Sequence, residues 1–249
     1  MRWDPDLYLT YGDERARPFV DLVSRIGADS PATVVDLGCG PGNLTALLKQ
    51  RWPDADVLGI DSSADMVAQA SADGVRFEVG DLRDWRPADQ VDVVVSNATL
   101  HWVPDHLERL PALADRARSW FAFQVPGNFA APSHTIARDL AADPPFAAHT
   151  GDVVHPSSHE PAEYLRVLSA AGWQVVDAWE TTYLHVLQRD DAVVTWVSAT
   201  GVRPILEALP AGLRADFEVE LKARLRDAYP QEAHGTVLPF RRVFVVGTR

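Results

Sequence analysis

Cysteine is all but missing from this chain: Cys39 stands alone among 249 residues. No internal disulfide can form, so packing must hold the fold, and the composition fits a reducing, cytoplasmic setting. Lysine is nearly as scarce. Lys49 and Lys222 are the two lysines among 23 basic residues, and 35 acids leave a formal net charge of -12. Binding to nucleic acid or to an anionic membrane needs a basic face that displaces counterions, so neither partner is expected. Long apolar runs are absent as well. No stretch approaches the roughly 18 apolar residues of a membrane span, and Asp4, Asp6, Asp13 and Glu14 charge the N-terminal region, so neither a span nor a signal peptide is expected. The chain also lacks a GxSxG elbow and a GxxxxGK[ST] loop, which removes the main support for hydrolase and kinase readings. His155 and His159 have a ligand-like spacing, but the Pro156-Ser157-Ser158 between them reads as loop and no third ligand accompanies them; no metal is expected.

What is present is a globular core's worth of apolar residues, 47% of the chain, in an order that alternates strand and helix. Residues 1–30 read as a helix interrupted near Pro18, with apolar Leu7, Phe19, Leu22 and Ile26 at helical spacing. β-Branched runs at Thr33–Leu37, Asp56–Ile60, Val75–Val79, Val91–Ser96 and Trp120–Val125 then alternate with helical stretches. That order predicts a doubly wound, mostly parallel α/β sheet. Beyond it come a helix from Pro161 to Ala171, a long strand from Trp173 to His185, two amphipathic helices and a last strand at Arg241–Val246. We read residues 1–249 as one domain. Residues 1–30 are an N-terminal lid, 31–127 a cofactor-binding core, and 128–249 an acceptor-side half with a helical insertion at about 186–236.

Chemistry concentrates at the strand ends. Asp36-Leu37-Gly38-Cys39-Gly40-Pro41-Gly42 closes the first strand, where glycines let backbone N–H groups approach a ligand at the next helix N-terminus. The second strand ends in Gly59-Ile60-Asp61, where a carboxylate can accept both ribose hydroxyls, and the third ends in Gly80-Asp81, where a second carboxylate can reach an adenine amino group. Three acids at three successive strand ends suit a cationic or neutral nucleoside and repel a pyrophosphate. Cys39, between two glycines and without a partnered His, reads as a small packing residue rather than a nucleophile.

These residues resemble motifs I to III of the class I S-adenosylmethionine-dependent methyltransferases. The resemblance implies a Rossmann-like, seven-stranded sheet whose last, antiparallel strand, Arg241 to Val246, lies beside the fifth. It implies a cofactor site made by Asp36, Gly38, Cys39, Gly40, Gly42, Asp61, Ser62, Met66, Asp81, Leu82, Asn97, Ala98 and Trp102, with S-adenosylhomocysteine as the product. Stretches outside those motifs, including Trp3-Asp4-Pro5, His101-Trp102, Pro132-Ser133-His134, Arg203-Pro204 and Pro239-Phe240-Arg241-Arg242, are similar to the trans-aconitate methyltransferase family. Relatives in that family have a Pro-Gly turn before the fifth strand; here Asp115-Arg116-Ala117-Arg118-Ser119 shortens it and leaves the register open. The implied reaction esterifies one carboxylate of a small polycarboxylate. A carboxylate is ionised at neutral pH, its reference pKa being roughly 4, so no general base is required, and His101 is the one candidate for such a role. Arginine forks suit the remaining carboxylates. Arg203, Arg241 and Arg242 are candidates, only one of the adjacent pair being able to face a site. Tyr8, His134, Tyr183 and Trp196 are candidate acceptor contacts, Trp3 and Tyr8 belonging to the lid. Another small carboxylate or hydroxyl acceptor, and a non-catalytic cofactor-binding module, stay open at this point, as does the oligomeric state.

Overall fold

Runs of Val, Ile and Phe with little internal polarity form strands that are covered on both faces, which is the environment of a parallel sheet. The computed structural model describes residues 12–249. Its strands are β1 (Thr33–Leu37), β2 (Asp56–Asp61), β3 (Val75–Val79), β4 (Val91–Asn97), β5 (Ala117–Pro126), β6 (Val175–Leu187), the two-residue β7 (Gln231–Glu232) and β8 (Gly235–Thr248). The sheet order is β3-β2-β1-β4-β5-β8-β6, with β7 paired to β8. Strands β1 to β5 are parallel, and β8 runs antiparallel to both β5 and β6. The expected seven strands are therefore present, with a short hairpin strand added. The order reverses between β1 and β4, the position at which doubly wound sheets open a crevice at their C-terminal edge.

Ten helices accompany the sheet among the described residues: α1 (Gly12–Ser24), α2 (Thr45–Arg51), α3 (Ala64–Gln69), α4 (His106–Ala114), α5 (Pro132–Ala142), α6 (Ala147–Thr150), α7 (Pro161–Ala170), α8 (Ala192–Ser198), α9 (Arg203–Ala208) and α10 (Ala211–Ala228). Strand alternation sorts their contacts. On β5, Phe121 and Phe123 join Leu110 of α4 and Tyr164 and Leu168 of α7 on one face, while Ala122 faces Phe19 and Leu22 of α1 on the other. A third core lies off the sheet, where Phe217 and Leu221 of α10 pack with Trp196 of α8 and with Leu140 of α5. None of the described helices is long and apolar enough to cross a membrane.

Two expectations change. Helix α1 continues through Pro18 instead of breaking there, because Phe19, Leu22 and Val23 after it are buried against the sheet and hold the following turns. Strand β8 begins at Gly235, six residues before the expected start, and pairs with β6 out to Leu187. Pro239 reads as a breaker in sequence, yet it lies inside this two-stranded extension. The extension has a structural use: its Leu238 and Phe240 form part of the floor under the helical core. The shortened turn before β5 starts that strand at Ala117, with a register shift between Val91 and Val93 on β4. Tyr8 and Trp3 lie outside the described residues.

Candidate active site

The first cavity follows from the three strand-end motifs. A cleft of about 490 Å³ opens at the C-terminal ends of β1 to β4, within the range of roughly 300–1,000 Å³ common for small-molecule sites. Gly38 has φ of 82°, and a Cβ there would stand 2.1 Å from Thr99 Oγ1, so no other residue fits. The N–H groups of Gly38 and Cys39 both donate to the Ile60 carbonyl, at 2.7 and 3.1 Å, and tie the loop to β2. Asp61 is oriented by backbone: its Oδ2 accepts from Gly40 N at 2.9 Å and its Oδ1 from Ser63 N at 2.8 Å. Each oxygen keeps lone-pair capacity for the cleft. Ser63 caps α3 by accepting from Met66 N at 3.3 Å, which brings Ser62 and Met66 to the wall. Asp81 and Leu82 line the far end. There Arg83 hydrogen-bonds the Asp81 carboxylate, Nη2 to Oδ2 at 2.5 Å, and holds its pKa below the usual carboxylate range.

Three expected cofactor residues lie behind this wall instead of on it. Asp36 is 2% exposed and accepts from Thr45 Oγ1 at 2.7 Å. Burial pushes its carboxyl up to about 7 against the Thr45 hydrogen bond, and the Asp61 charge adds to the rise. Cys39 is buried against Gly59, and burial with the charges of Asp36 and Asp61 drives its thiol far up, so it is no thiolate nucleophile. Gly42 is turned onto the Phe77 ring. These positions shape the loop from beneath. The cleft itself fits a nucleoside with a cationic tail: two oriented carboxylates line it, and its one described cation, Arg83, is tied to Asp81.

A second, smaller chamber of about 60 Å³ adjoins the cleft, and Asn97, Ala98 and Trp102 are walls of both. Ala98 takes φ of 51°, a left-handed conformation costly for a residue with a Cβ, and its N–H donates to the Gln124 carbonyl at 2.8 Å. This turn aims Asn97 and the 3₁₀ segment Leu100–Trp102 into the site. Arg242 enters from β8, 5% exposed, donating from Nη1 to Gln124 Oε1 at 3.1 Å and standing 4.4 Å from the Phe240 ring centroid. His134, near the N-terminus of α5, faces Gly201, where a Cβ would fall 2.3 Å from its Cε1. Trp196 and Thr200 close that side.

Both imidazoles are neutral. Burial lowers the His101 pKa well below its ordinary value, with Arg242, His106 and His134 adding to the effect. Burial takes His134 down to about 4, with Arg138 and His155 contributing. Arg242 is therefore the permanent cation on the described walls of the chamber. Four buried polar atoms there, Asn97 Oδ1, His101 Nδ1, and Asn128 Oδ1 and Nδ2, have no hydrogen-bond partner among the described residues. Such atoms are rare in folded proteins, and at a cavity wall they are open to a polar ligand or to water.

The remaining expectations divide. His101, Trp102, His134, Trp196 and Arg242 line the chamber. Arg241 does not: it points to the opposite side of β8 and pairs with Glu160 and Glu180, as alternation along a strand requires of the adjacent pair. Arg203 lies off the described wall, its Nε 2.9 Å from Glu207 one turn on in α9. Tyr183 is also turned away; its hydroxyl donates to Asp21 Oδ2 at 2.6 Å and fastens α1 to β6. Sequence reasoning assigned no site role to Asn128, Phe129, Thr200, Gly201 and Gln124. Asn128 follows Pro126-Gly127 and Gly201 follows Thr200, so turn-forming glycines beside polar residues were the available signal.

The profile of the methyltransferase domain family matches residues 34–120. A trans-aconitate 2-methyltransferase of Mycolicibacterium gilvum is 50% identical over 254 residues, covering 98% of both chains. One from Streptomyces avermitilis is 47% identical and covers 98% of this chain and 96% of its own. Among solved structures, magnesium protoporphyrin IX methyltransferase from Synechocystis PCC 6803 with bound S-adenosylhomocysteine superposes with a TM-score of 0.55 at 15% identity, covering 98% of this chain and 86% of that one.

Proposed function

The chain belongs to the trans-aconitate 2-methyltransferase family of S-adenosylmethionine-dependent enzymes, and from that premise we propose that its cleft holds S-adenosylmethionine and its smaller chamber a tricarboxylate. One carboxylate of that acceptor becomes a monomethyl ester. The single observation that carries this reading is the shared wall: Asn97, Ala98 and Trp102 belong to both cavities, with Arg242 in the second. When bound, the donor supplies an electrophilic methyl group on a sulfonium.

The chain's own residues divide the work. Asp61 would receive the ribose hydroxyls on oxygens already oriented by Gly40 and Ser63, and Asp81 on the same wall would accept from the adenine amino group. The Gly38–Gly40 backbone meets the methionine end, and buried Asp36 braces that loop from beneath. Arg242 takes a carboxylate of the acceptor, with Gln124 fixing its guanidinium fork. His134 and Trp196 shape the wall beside it. His101 has no proton to remove, because the acceptor carboxylate is already ionised; its neutral ring orients the acceptor and excludes water. Catalysis then rests on alignment in an enclosed chamber, an effect that supplies up to about 7–11 kcal/mol in well-oriented systems. An acceptor panel of trans-aconitate, cis-aconitate, citrate and isocitrate, read by S-adenosylhomocysteine release, tests the proposal. Turnover is expected to be fastest with trans-aconitate. No release with any of the four would overturn it.

A further inference from the structure

We propose that Asn128 is a specificity residue of the acceptor chamber, and that it pairs with one carboxyl group of the acceptor in its protonated, uncharged form. This rests on the tricarboxylate reading above. Asn128 lies between β5 and α5, is 4% exposed, and has neither its Oδ1 nor its Nδ2 hydrogen-bonded to any described residue. A primary amide offers an acceptor and a donor side by side. A carboxylate carries acceptors alone, so it would satisfy Nδ2 and leave Oδ1 buried and unmet. A carboxylic acid satisfies both, its O–H donating to Oδ1 and its carbonyl accepting from Nδ2.

Charge matching leads to the same place. An acceptor with three carboxyl groups presents one anion to the sulfonium and one to Arg242. The third meets neutral groups on the described walls, the imidazoles of His101 and His134 and the Asn128 amide. An anion enclosed without a counter-charge is unfavourable enough that burial drives protonation instead. The charged and titratable groups around this position are Arg242 from β8, His101 after β4 and His134 of α5, with Arg138 and His155 near His134 and His106 near His101. Glu207 of α9 is not on the chamber's described wall but lines the neighbouring cavity, which shares His101, Trp102 and Pro156 with it. Arg242 draws the negative charge to its own end, which leaves the proton at the Asn128 end.

Calorimetry on the enzyme loaded with S-adenosylhomocysteine tests this, with trans-aconitate as the titrant at pH 7 in two buffers of different ionisation heat. The wild type is expected to take up about one proton per acceptor bound, so that Kd rises about tenfold per pH unit. Asn128→Ala should bind at least about tenfold more weakly and take up none, whereas His134→Gln should keep the uptake. Carbon-13 carboxyl-labelled trans-aconitate gives a second readout free of any variant: one of its three bound carboxyl resonances should sit at the protonated position. Binding with no proton uptake and three ionised resonances would overturn the inference and leave the tricarboxylate reading intact. Uptake that survives in Asn128→Ala and vanishes in His134→Gln would place the proton on the imidazole and also overturn it. Failure of trans-aconitate both to bind and to be methylated would remove the reading on which the inference stands.

Discussion

The two cavities share three walls and are built in opposite ways. The donor cleft takes each functional group from a strand end and the few residues after it: Gly38 and Gly40 after β1, Asp61 to Met66 after β2, Asp81 and Leu82 after β3. The chamber assigned to the acceptor gathers residues from six separated places, the turn after β4, the end of β5 with the loop after it, α5, the loop before α7, the α8 region and β8. The donor side is lined by carboxylates. Across the shared wall stand, among the described residues, one guanidinium and neutral amides and imidazoles. A fold can therefore keep one local recipe for the donor while a helical layer off the sheet sets the acceptor.

The comparison breaks most visibly at Asp61. Asp61→Ala removes two charged hydrogen-bond acceptors, each typically worth about 1.5–3 kcal/mol, so donor Kd should rise at least about 100-fold by calorimetry; an unchanged Kd would take Asp61 out of the site. Asp36 comes next and shows itself in stability. Its folded pKa of about 7 lies above the ordinary 3.8, so the folded state keeps a proton that the unfolded chain releases. The burial is therefore harmless below about pH 4 and grows costly as pH rises towards 7, reaching about 4 kcal/mol. Asp36→Asn should have the higher Tm at pH 8 and lose that advantage near pH 4; parallel Tm profiles would contradict the assignment. On the acceptor side the sign inverts: His134 titrates at about 4 when folded, so its share of stability is present above pH 6.5 and is lost as pH falls from there to 4.

Arg242→Gln should raise the acceptor KM by about 10–100-fold, the equivalent of one charge-assisted pair, and leave the donor KM within about twofold. A donor KM that rises in step would mean the two cavities are not separable. The smallest effect belongs to Arg241→Ala. Its pairs with Glu160 and Glu180 are partly solvated, so stability should fall by no more than about 1 kcal/mol and both KM values should hold. An acceptor KM matching that of Arg242→Gln would reverse the facing of β8.

The same contrast explains what could be read from sequence. Strand order, the glycine loop and the acids Asp61 and Asp81 were legible because each is a short local pattern with its own physical cause. Asp36, Cys39 and Gly42 belong to that pattern but support the loop from below, a depth that spacing does not encode. Arg242 could be narrowed to one of two by alternation; which one faced inward depended on the pairing of β8 with β5. Tyr183 turns to Asp21, a partner far along the chain that tertiary packing sets, whereas Arg203 pairs with Glu207 one turn on in its own helix, a local spacing the sequence already carried. Asn128 was given no site role because an asparagine beside a Pro-Gly turn looks like any loop residue until its amide is seen enclosed.

The most direct test of a sulfonium donor beside a cationic acceptor pocket is a crystal structure of the chain with S-adenosylhomocysteine and trans-aconitate. The account predicts one carboxyl group on Arg242, one beside Asn128, and the third at the Asn97–Trp102 wall with an oxygen about 3–3.5 Å from where the transferable methyl would lie. An acceptor bound away from Arg242, or with no carboxylate at that shared wall, would contradict it.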